Sequence, residues 1–389
     1  MDVLRLTLEF LAFSSLLLTL LCCLSVWSVL RKAPARRREP GELPGVSILK
    51  PLAGIDEGLL ENLESFALQD YPRFEIILAA EDPDDPALDT VRILRAKHPS
   101  IPIRVLAGTR PLGLNPKVRN LAAMSELAKH DLLLISDSNV RAPTDYLSAL
   151  VASMPPGGMV TNLIRGAEPR SLGAQLDALE LHSFVAAGIA GARALGGRPC
   201  VLGKSMLLSR EDLRSLGGFA SVKDVLAEDY VLGAKYHQAG RQVILSPVVL
   251  PSVLGRRSVS AFFARRLRWC QLRRQTGFST YALEALMYPG AFALALAAAG
   301  APLSLVGLLL ALKLVLDAAQ IWRLCGRAPS VTELCLSPLK DLLAALAWII
   351  AWRYRRVVWR GHELIIGAGT IVTPRGQAIA GRPAGVSAP

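Results

Sequence analysis

Charge is what this sequence has least of. Asp, Glu, Lys and Arg make up 20% of the 389 residues, against about 25% in an average soluble domain. The shortfall is concentrated. Phe10–Leu30 runs 21 residues without a charged side chain, and Ala285–Leu312 runs another 28. A helix crossing a bilayer needs about 20 apolar residues, so an ordinary soluble protein is excluded. Cysteine is also sparse, and none of the six forms a C-x-x-C pair. That argues against a zinc site and against a disulfide framework, and it is compatible with a reducing, cytosolic location for the soluble part. Glycine and proline are not in excess, which excludes a collagen-like or wholly disordered chain. No G-x-G-x-x-G follows a strand pattern, so a dinucleotide fold is not supported. Gly203-Lys204-Ser205 imitates the end of a phosphate-binding loop, but the first glycine of that loop would fall on Arg198.

Positive charge, by contrast, is abundant. The 44 basic and 32 acidic residues leave a net +12. No nucleic-acid module accompanies it, so no nucleic-acid partner is expected. The basic residues sit beside the apolar runs, at Arg31–Arg38, Arg265–Arg274 and Arg353–Arg360, where they read as membrane-surface anchors. The first apolar run is longer than the 7–15 residues usual in a signal peptide, and its basic flank follows it. Residues 1–31 are therefore expected to form an uncleaved anchor. The positive-inside rule then puts the following domain in the cytosol.

After the basic, Pro-containing linker Pro34–Pro44, strand and helix patterns alternate. Val46–Lys50, Phe74–Ala79, Ile101–Leu106 and Asp131–Ser136 read as strands. Leu59–Leu68, Ala87–Lys97 and Lys117–Lys129 between them carry apolar residues at helical spacing. This predicts an α/β fold with a mostly parallel sheet, whose ligands bind beyond the carboxyl ends of the strands. Further on, Met159–Ile164, Pro199–Leu208 and Gln242–Ser246 read as strands. Ser171–Ala190, Glu211–Leu216 and a segment from Glu228 to Gly240 read as helices. The expected organisation is an α/β domain over 44–255, an interfacial helix over 256–282, a membrane region over 283–355 and a tail over 356–389. Ala285–Trp322 suggests a helical hairpin broken at Gly300-Ala-Pro302. Leu342–Trp352, with only 11 uncharged residues, suggests a re-entrant or interfacial piece.

Four groups of residues suggest chemistry, and each has a plain structural alternative. Asp137-Ser138-Asn139 follows an apolar strand, where a carboxylate and a second oxygen hold Mg²⁺ or Mn²⁺ against a diphosphate; the alternative is a turn. Asp82, at the next acid-rich strand end, suits a nucleoside contact or an acidic helix start. Asp229 suits a general base for a sugar acceptor hydroxyl, or the stabilisation of a helix N-terminus. Arg265, Arg268 and Trp269 suit a diphosphate clamp, or the cationic side of an amphipathic surface helix.

The order of these pieces resembles the inverting, membrane-bound glycosyltransferases of GT-A fold with the motif D, D, D, (Q/R)xxRW. More closely, the chain resembles the ceramide glucosyltransferase family. The likeness is carried by Pro44–Leu52, Asp82–Asp89, Asn115-Pro-Lys117, Cys200–Ser205, Ala227–Tyr230 and the Arg265-x-x-Arg268-Trp269 box, with a weaker echo at Trp359-Arg-Gly361. The resemblance implies a UDP-sugar donor, a divalent cation (Mg²⁺ or Mn²⁺), a membrane-lipid acceptor and a multi-pass protein with a cytosolic catalytic domain. It implies that Asp82 contacts the uridine, Lys117 the donor diphosphate or sugar, and Asp137 the metal. Asp229 would be the catalytic base, and Arg265, Arg268 and Trp269 would close on the diphosphate. Position 139 is Asn where a strict D-x-D has Asp. Glucose and ceramide lead as substrates. A hopanoid or diacylglycerol acceptor, with for instance a UDP-GlcNAc donor, shares every motif. A polysaccharide synthase would need more membrane spans than are evident. A non-catalytic scaffold would not need the three acids and the Arg-Trp box together.

Overall fold

A computed structural model describes residues 2–31, 43–109, 111–359 and 362–374. Most of the basic run at 31–38, most of the linker at 34–44, the last two residues of the echo at 359–361 and the segment 375–389 lie outside the described residues.

The uncharged N-terminal run lies within one helix, α1 (Asp2–Leu30). The alternating patterns then give β1 (Val46–Leu52), α2 (Leu59–Ala67), β2 (Phe74–Ala80), α3 (Ala87–Lys97), β3 (Ile103–Ala107), α4 (Pro116–Leu127), β4 (Leu132–Ile135) and α5 (Tyr146–Ala152). There follow β5 (Met159–Pro169), α6 (Leu172–Leu179), α7 (Ala186–Gly196), β6 (Met206–Ser209), α8 (Arg210–Ser215), α9 (Glu228–Gln238) and β7 (Val243–Gly255). The strands form one seven-stranded sheet in the order β3-β2-β1-β4-β6-β5-β7. β1, β2, β3 and β4 run parallel, while β6 is antiparallel to both of its neighbours. All seven residues of β1 are buried, as a strand covered on both faces requires. That makes Lys50, inside it, conspicuous.

Three segments differ from their sequence patterns. Of the strand expected over Pro199–Leu208, only Met206–Ser209 pairs. Residues 201–205 turn across the carboxyl edge of the sheet, where their backbone meets Lys117 and Asp229. The helix expected over Ser171–Ala190 contains a π-helical turn at Glu180–Val185. The strand expected to end at Ser246 continues to Gly255 along β5, after a register shift at Asn162/Leu163. Pro247 falls in that shift; lacking an N–H, it cannot donate to the ladder.

The C-terminal helical part begins with α10 (Val259–Thr276) and α11 (Phe278–Leu283). It continues with α12 (Pro289–Ala298), α13 (Leu303–Cys325) and α14 (Val331–Ala351). Three helical stretches among the described residues are long and apolar enough to cross a membrane: Val3–Leu30, Leu303–Cys325 and Val331–Ala351. A fourth, Phe278–Met287 with Pro289–Ala298, is bent by 65°. The re-entrant or interfacial piece expected near Leu342–Trp352 is instead the end of the 21-residue helix α14. Its length was hidden by Lys340 and Asp341, which are buried and paired inside the bundle. Lys340 Nζ lies 2.5 Å from Asp341, 3.7 Å from Glu180 and 3.0 Å from Ser183 Oγ; Lys313 of α13 lies 3.5 Å from Asp341. Charges in such segments face the interior and pair with one another. Here the pairing ties α13 and α14 to the helix that runs under the sheet.

Residues 356–359 and 362–374 of the expected tail are folded. They form a small antiparallel sheet of β8 (Arg356–Trp359), β9 (His362–Ile366) and β10 (Val372–Pro374). Its last turn takes a hydrogen bond from Leu226 N–H to Thr370 O at 3.0 Å, and Val372 N–H donates to Asp224 O at 2.8 Å. The small sheet therefore braces the loop that leads into α9. The strands are three to five residues long, too short to stand out as patterns.

Candidate active site

β4 ends at Ile135, and the chain passes at once into Ser136-Asp137-Ser138-Asn139. Lys50, from the adjacent β1, fixes this turn: its Nζ donates to the Asp137 carbonyl at 3.0 Å and to Ser136 Oγ at 3.2 Å. The ammonium lies 3.5 Å from the centre of the Phe66 ring, so a buried cation is held by oxygens and an aromatic face. Burial pushes the Lys50 ammonium well below its ordinary range, against the pull of Asp137.

Asn115 caps α4 by accepting from Val118 N–H at 3.2 Å, with Pro116 in the first turn. This sends Lys117 out at the helix start toward the sheet edge. Its Nζ lies 2.9 Å from Asp137 Oδ1, 2.9 Å from Glu228 Oε1 and 3.3 Å from the Gly203 carbonyl. Burial works against the charged ammonium, but Asp137, Glu228 and Asp229 outweigh it and hold Lys117 above the usual lysine range. At Asp137 burial raises the carboxyl, and Lys117 and Lys204 more than reverse that, leaving it at about 2. Asp137 is thus ionised at any working pH.

Asp229 stands in the first turn of α9. Gly203 N–H donates to its Oδ2 at 2.6 Å, and its own neighbour Tyr230 N–H to Oδ1 at 2.8 Å. A Cβ at position 203 would lie 2.7 Å from Lys117 Nζ and 3.0 Å from Asp229 Oδ2, so a larger residue there would push on both groups. Burial, and next to it the charge of Glu228, raise the Asp229 carboxyl to about 6. A carboxylate raised this far is a fair proton acceptor near neutral pH.

The Arg-Trp box lies on α10. Arg265 donates to Asp177 Oδ2 at 2.7 Å and lies over the Trp269 ring at 4.5 Å. Asp177 also holds Arg257 at 2.7 Å. Arg265 is close enough to Asp137 and Lys204 for its charge to be felt at both. Arg268 makes no ion pair or hydrogen bond among the described residues, which leaves it an unspent cation. Arg266 faces the opposite way. It is buried against Glu180 at 2.7 Å and Glu284 at 2.9 Å, and it donates to Tyr288. Asp177 and Glu180 thus fix the roll of α10, and with it the direction in which Arg268 points.

The structure brings Lys117, Asp137 and Asp229 into one cluster, with Arg265 beside it. Asp82 is not in that cluster. It sits exposed past the end of β2 and accepts from Asp84 N–H at 2.9 Å. The strands that lead to it and to Asp137, β2 and β4, lie on either side of β1, about 10 Å apart. Five contributors were not assigned roles from the sequence: Lys50, Asp177, Gly203, Lys204 and Glu228. Lys50 had a signal, a lysine inside a continuous apolar strand pattern. Asp177 and Glu180, three apart in an otherwise apolar helix, had another.

Asp137 and Asn139 also bear on a divalent cation. Lys204 Nζ lies 2.5 Å from Asn139 Oδ1 and 3.5 Å from Asp137 Oδ2. These two side-chain oxygens already share a positive group, so the pair fits a cation. Among the described residues no group of three or more His, Cys, Asp or Glu could hold a metal ion.

A sequence profile for glycosyl transferase family 21 matches residues 7–372. The chain belongs to glycosyl transferase family 21. Curated relatives of this family 21 chain include ceramide glucosyltransferases 3 and 1 of Caenorhabditis elegans. They are 29% and 31% identical over 61% and 59% of this chain, and over 52% and 50% of their own lengths. The ceramide glucosyltransferase of Komagataella phaffii is 28% identical over 63% of this chain and 60% of its own. The chain therefore spans about half the length of the first two relatives. Among solved structures, a mannosyltransferase from Pyrobaculum calidifontis, determined with GDP-mannose and Mn²⁺, superposes with a TM-score of 0.52 at 21% identity. The match covers 88% of this chain and 99% of that one. The fold of the family 21 chain is accordingly GT-A, with apolar helices at both ends that are long enough to span a membrane.

Proposed function

We propose that this family 21 chain transfers a hexose, glucose first among the candidates, from a UDP-sugar to the primary hydroxyl of ceramide, with inversion. The observation that carries the reading is the cluster in which Lys117 joins Asp137 to the α9 start, while Gly203 N–H orients Asp229. It puts an ionised carboxylate for the diphosphate end and a proton acceptor for the hydroxyl within one lysine of each other. The ceramide glucosyltransferase relatives support the acceptor class.

In this reading Asp82 meets the uridine, and Lys117, Arg265 and Arg268 lie along the diphosphate, with Trp269 stacked under Arg265. Asp137 and Asn139 would hold the divalent cation, which when bound would offset the charge gathering on the departing nucleotide. Asp229 accepts the proton of the lipid hydroxyl. That oxygen attacks the anomeric carbon from the face opposite UDP, and the sugar–phosphate bond breaks with its electron pair leaving on UDP. The helices leading from α10 into the bilayer deliver a lipid, rather than a soluble alcohol, to Asp229. The chain is read as multi-pass, with the GT-A domain on the cytosolic side.

The test is a matrix of donors and acceptors. Membranes containing the chain are incubated with UDP-glucose, UDP-galactose or UDP-GlcNAc and with ceramide, diacylglycerol or a hopanoid, and products are read by mass. Hexosylceramide from UDP-glucose is the expected dominant product. Transfer confined to another lipid would retain the enzyme class and replace the acceptor.

A further inference from the structure

Lys204 follows Gly203 in the turn that crosses the sheet edge, and the steps above leave it without a task. Its position is nonetheless specific. The ammonium stands 2.5 Å from Asn139 Oδ1 and 3.5 Å from Asp137 Oδ2, the two oxygens assigned to the divalent cation. The side chain is 12% exposed, so water screens its charge poorly. The other acceptors around it are already engaged. Lys117 holds Asp137 Oδ1, Lys50 holds the Asp137 carbonyl, and Ser138 donates to Asp56. A lysine ammonium is a compact charge with three donors on a flexible four-carbon stem. It can turn toward a phosphate oxygen without any movement of the backbone. A divalent ion and an ammonium cannot both sit between Asp137 and Asn139, because they would repel at contact distance.

We infer that Lys204 is a resident cation for the donor diphosphate that competes with the divalent ion for the seat between Asp137 and Asn139. The inference rests on the UDP-donor reading above. With the ion absent, Lys204 neutralises Asp137 and holds the nucleotide in part. With the ion present, Lys204 swings away to the phosphate oxygens. The Asn at position 139 suits this exchange, since a second carboxylate there would favour the divalent ion over the ammonium more strongly.

The test uses the full chain in lipid nanodiscs, with Lys204→Met to remove the charge at similar length and Lys204→Arg to keep it. Mn²⁺ binding without nucleotide is followed by electron paramagnetic resonance, and UDP binding in a chelator by calorimetry. Lys204→Met is expected to bind Mn²⁺ about tenfold more tightly and UDP in chelator about tenfold more weakly, the size expected for one charge-assisted hydrogen bond. Lys204→Arg should keep the chelator-resistant UDP binding. If Lys204→Met fails to fold, Lys204→Gln carries the same two expectations. Unchanged Mn²⁺ and UDP affinities in a folded, uncharged variant overturn the inference. Absence of UDP binding to the wild-type chain, with and without Mn²⁺, overturns the donor reading itself and the inference with it.

Discussion

Asp229→Asn is expected to leave UDP binding intact and to lower sugar transfer by about 10²–10⁴-fold. The amide is nearly isosteric, and its oxygen still accepts from one of the two N–H groups that bond the native carboxylate at separate oxygens, Gly203 at Oδ2 and Tyr230 at Oδ1, while its NH2 cannot accept from the other. It also loses the capacity to take a proton. The same residue sets a pH dependence in the wild type. Burial and Glu228 place the Asp229 carboxyl at about 6. A base must be ionised to act, so the rate falls as pH drops through about 6 and is steady above it. The competing role, a carboxylate that only stabilises the start of α9, predicts a stability loss of about 0.5–2 kcal/mol and near-normal turnover per folded molecule. Transfer rate and thermal unfolding measured on one preparation separate the two. A mutant with wild-type turnover would remove Asp229 from the mechanism.

Asp137→Ala is expected to abolish the response of UDP binding to Mn²⁺ and to lower transfer by about 10²-fold or more, the several kcal/mol that a cation contributes at a leaving phosphate. UDP binding in chelator should not fall. Asp137 is the counterion of Lys117 and lies beside Lys204; without it both ammonium groups are free for the diphosphate. Simple damage to the site would instead weaken UDP binding in both conditions. Calorimetric titration of UDP with Mn²⁺ and with chelator decides, and a Mn²⁺ effect of wild-type size in the mutant would contradict the assignment.

The parallel half of the sheet was legible because its strands are continuous apolar runs and its helices keep their spacing, as with β1, β2, α3 and α4. The segment 201–205 was not. Its apolar residues fit a strand, and only the tertiary approach of Asp229 to Gly203 explains why it turns instead. α14 was obscured because hydropathy counts Lys340 and Asp341 as exposed charges, whereas here Lys340 pairs with Asp341 and Glu180, and Asp341 also with Lys313. Among candidate site residues, Asp137 and Asp229 were singled out from motif order and Lys117 from the family resemblance, and the three lie together in the structure. Asp82 stands apart, past the end of β2. Asp177 and Lys204 were missed for a common reason. Their importance comes from partners 88 and 65 positions away, Arg265 and Asn139, and no local pattern encodes such pairings.

The central claim is a single displacement in which Asp229 activates the lipid hydroxyl opposite the departing UDP. The anomeric configuration of the product tests it most directly. Purified full chain is incubated with UDP-glucose, in which the sugar is α-linked, and ceramide, and the coupling constant of the anomeric proton in the glycolipid is measured by NMR. The account predicts a β-linked glucosylceramide. An α-linked product would show that configuration is retained and would contradict it.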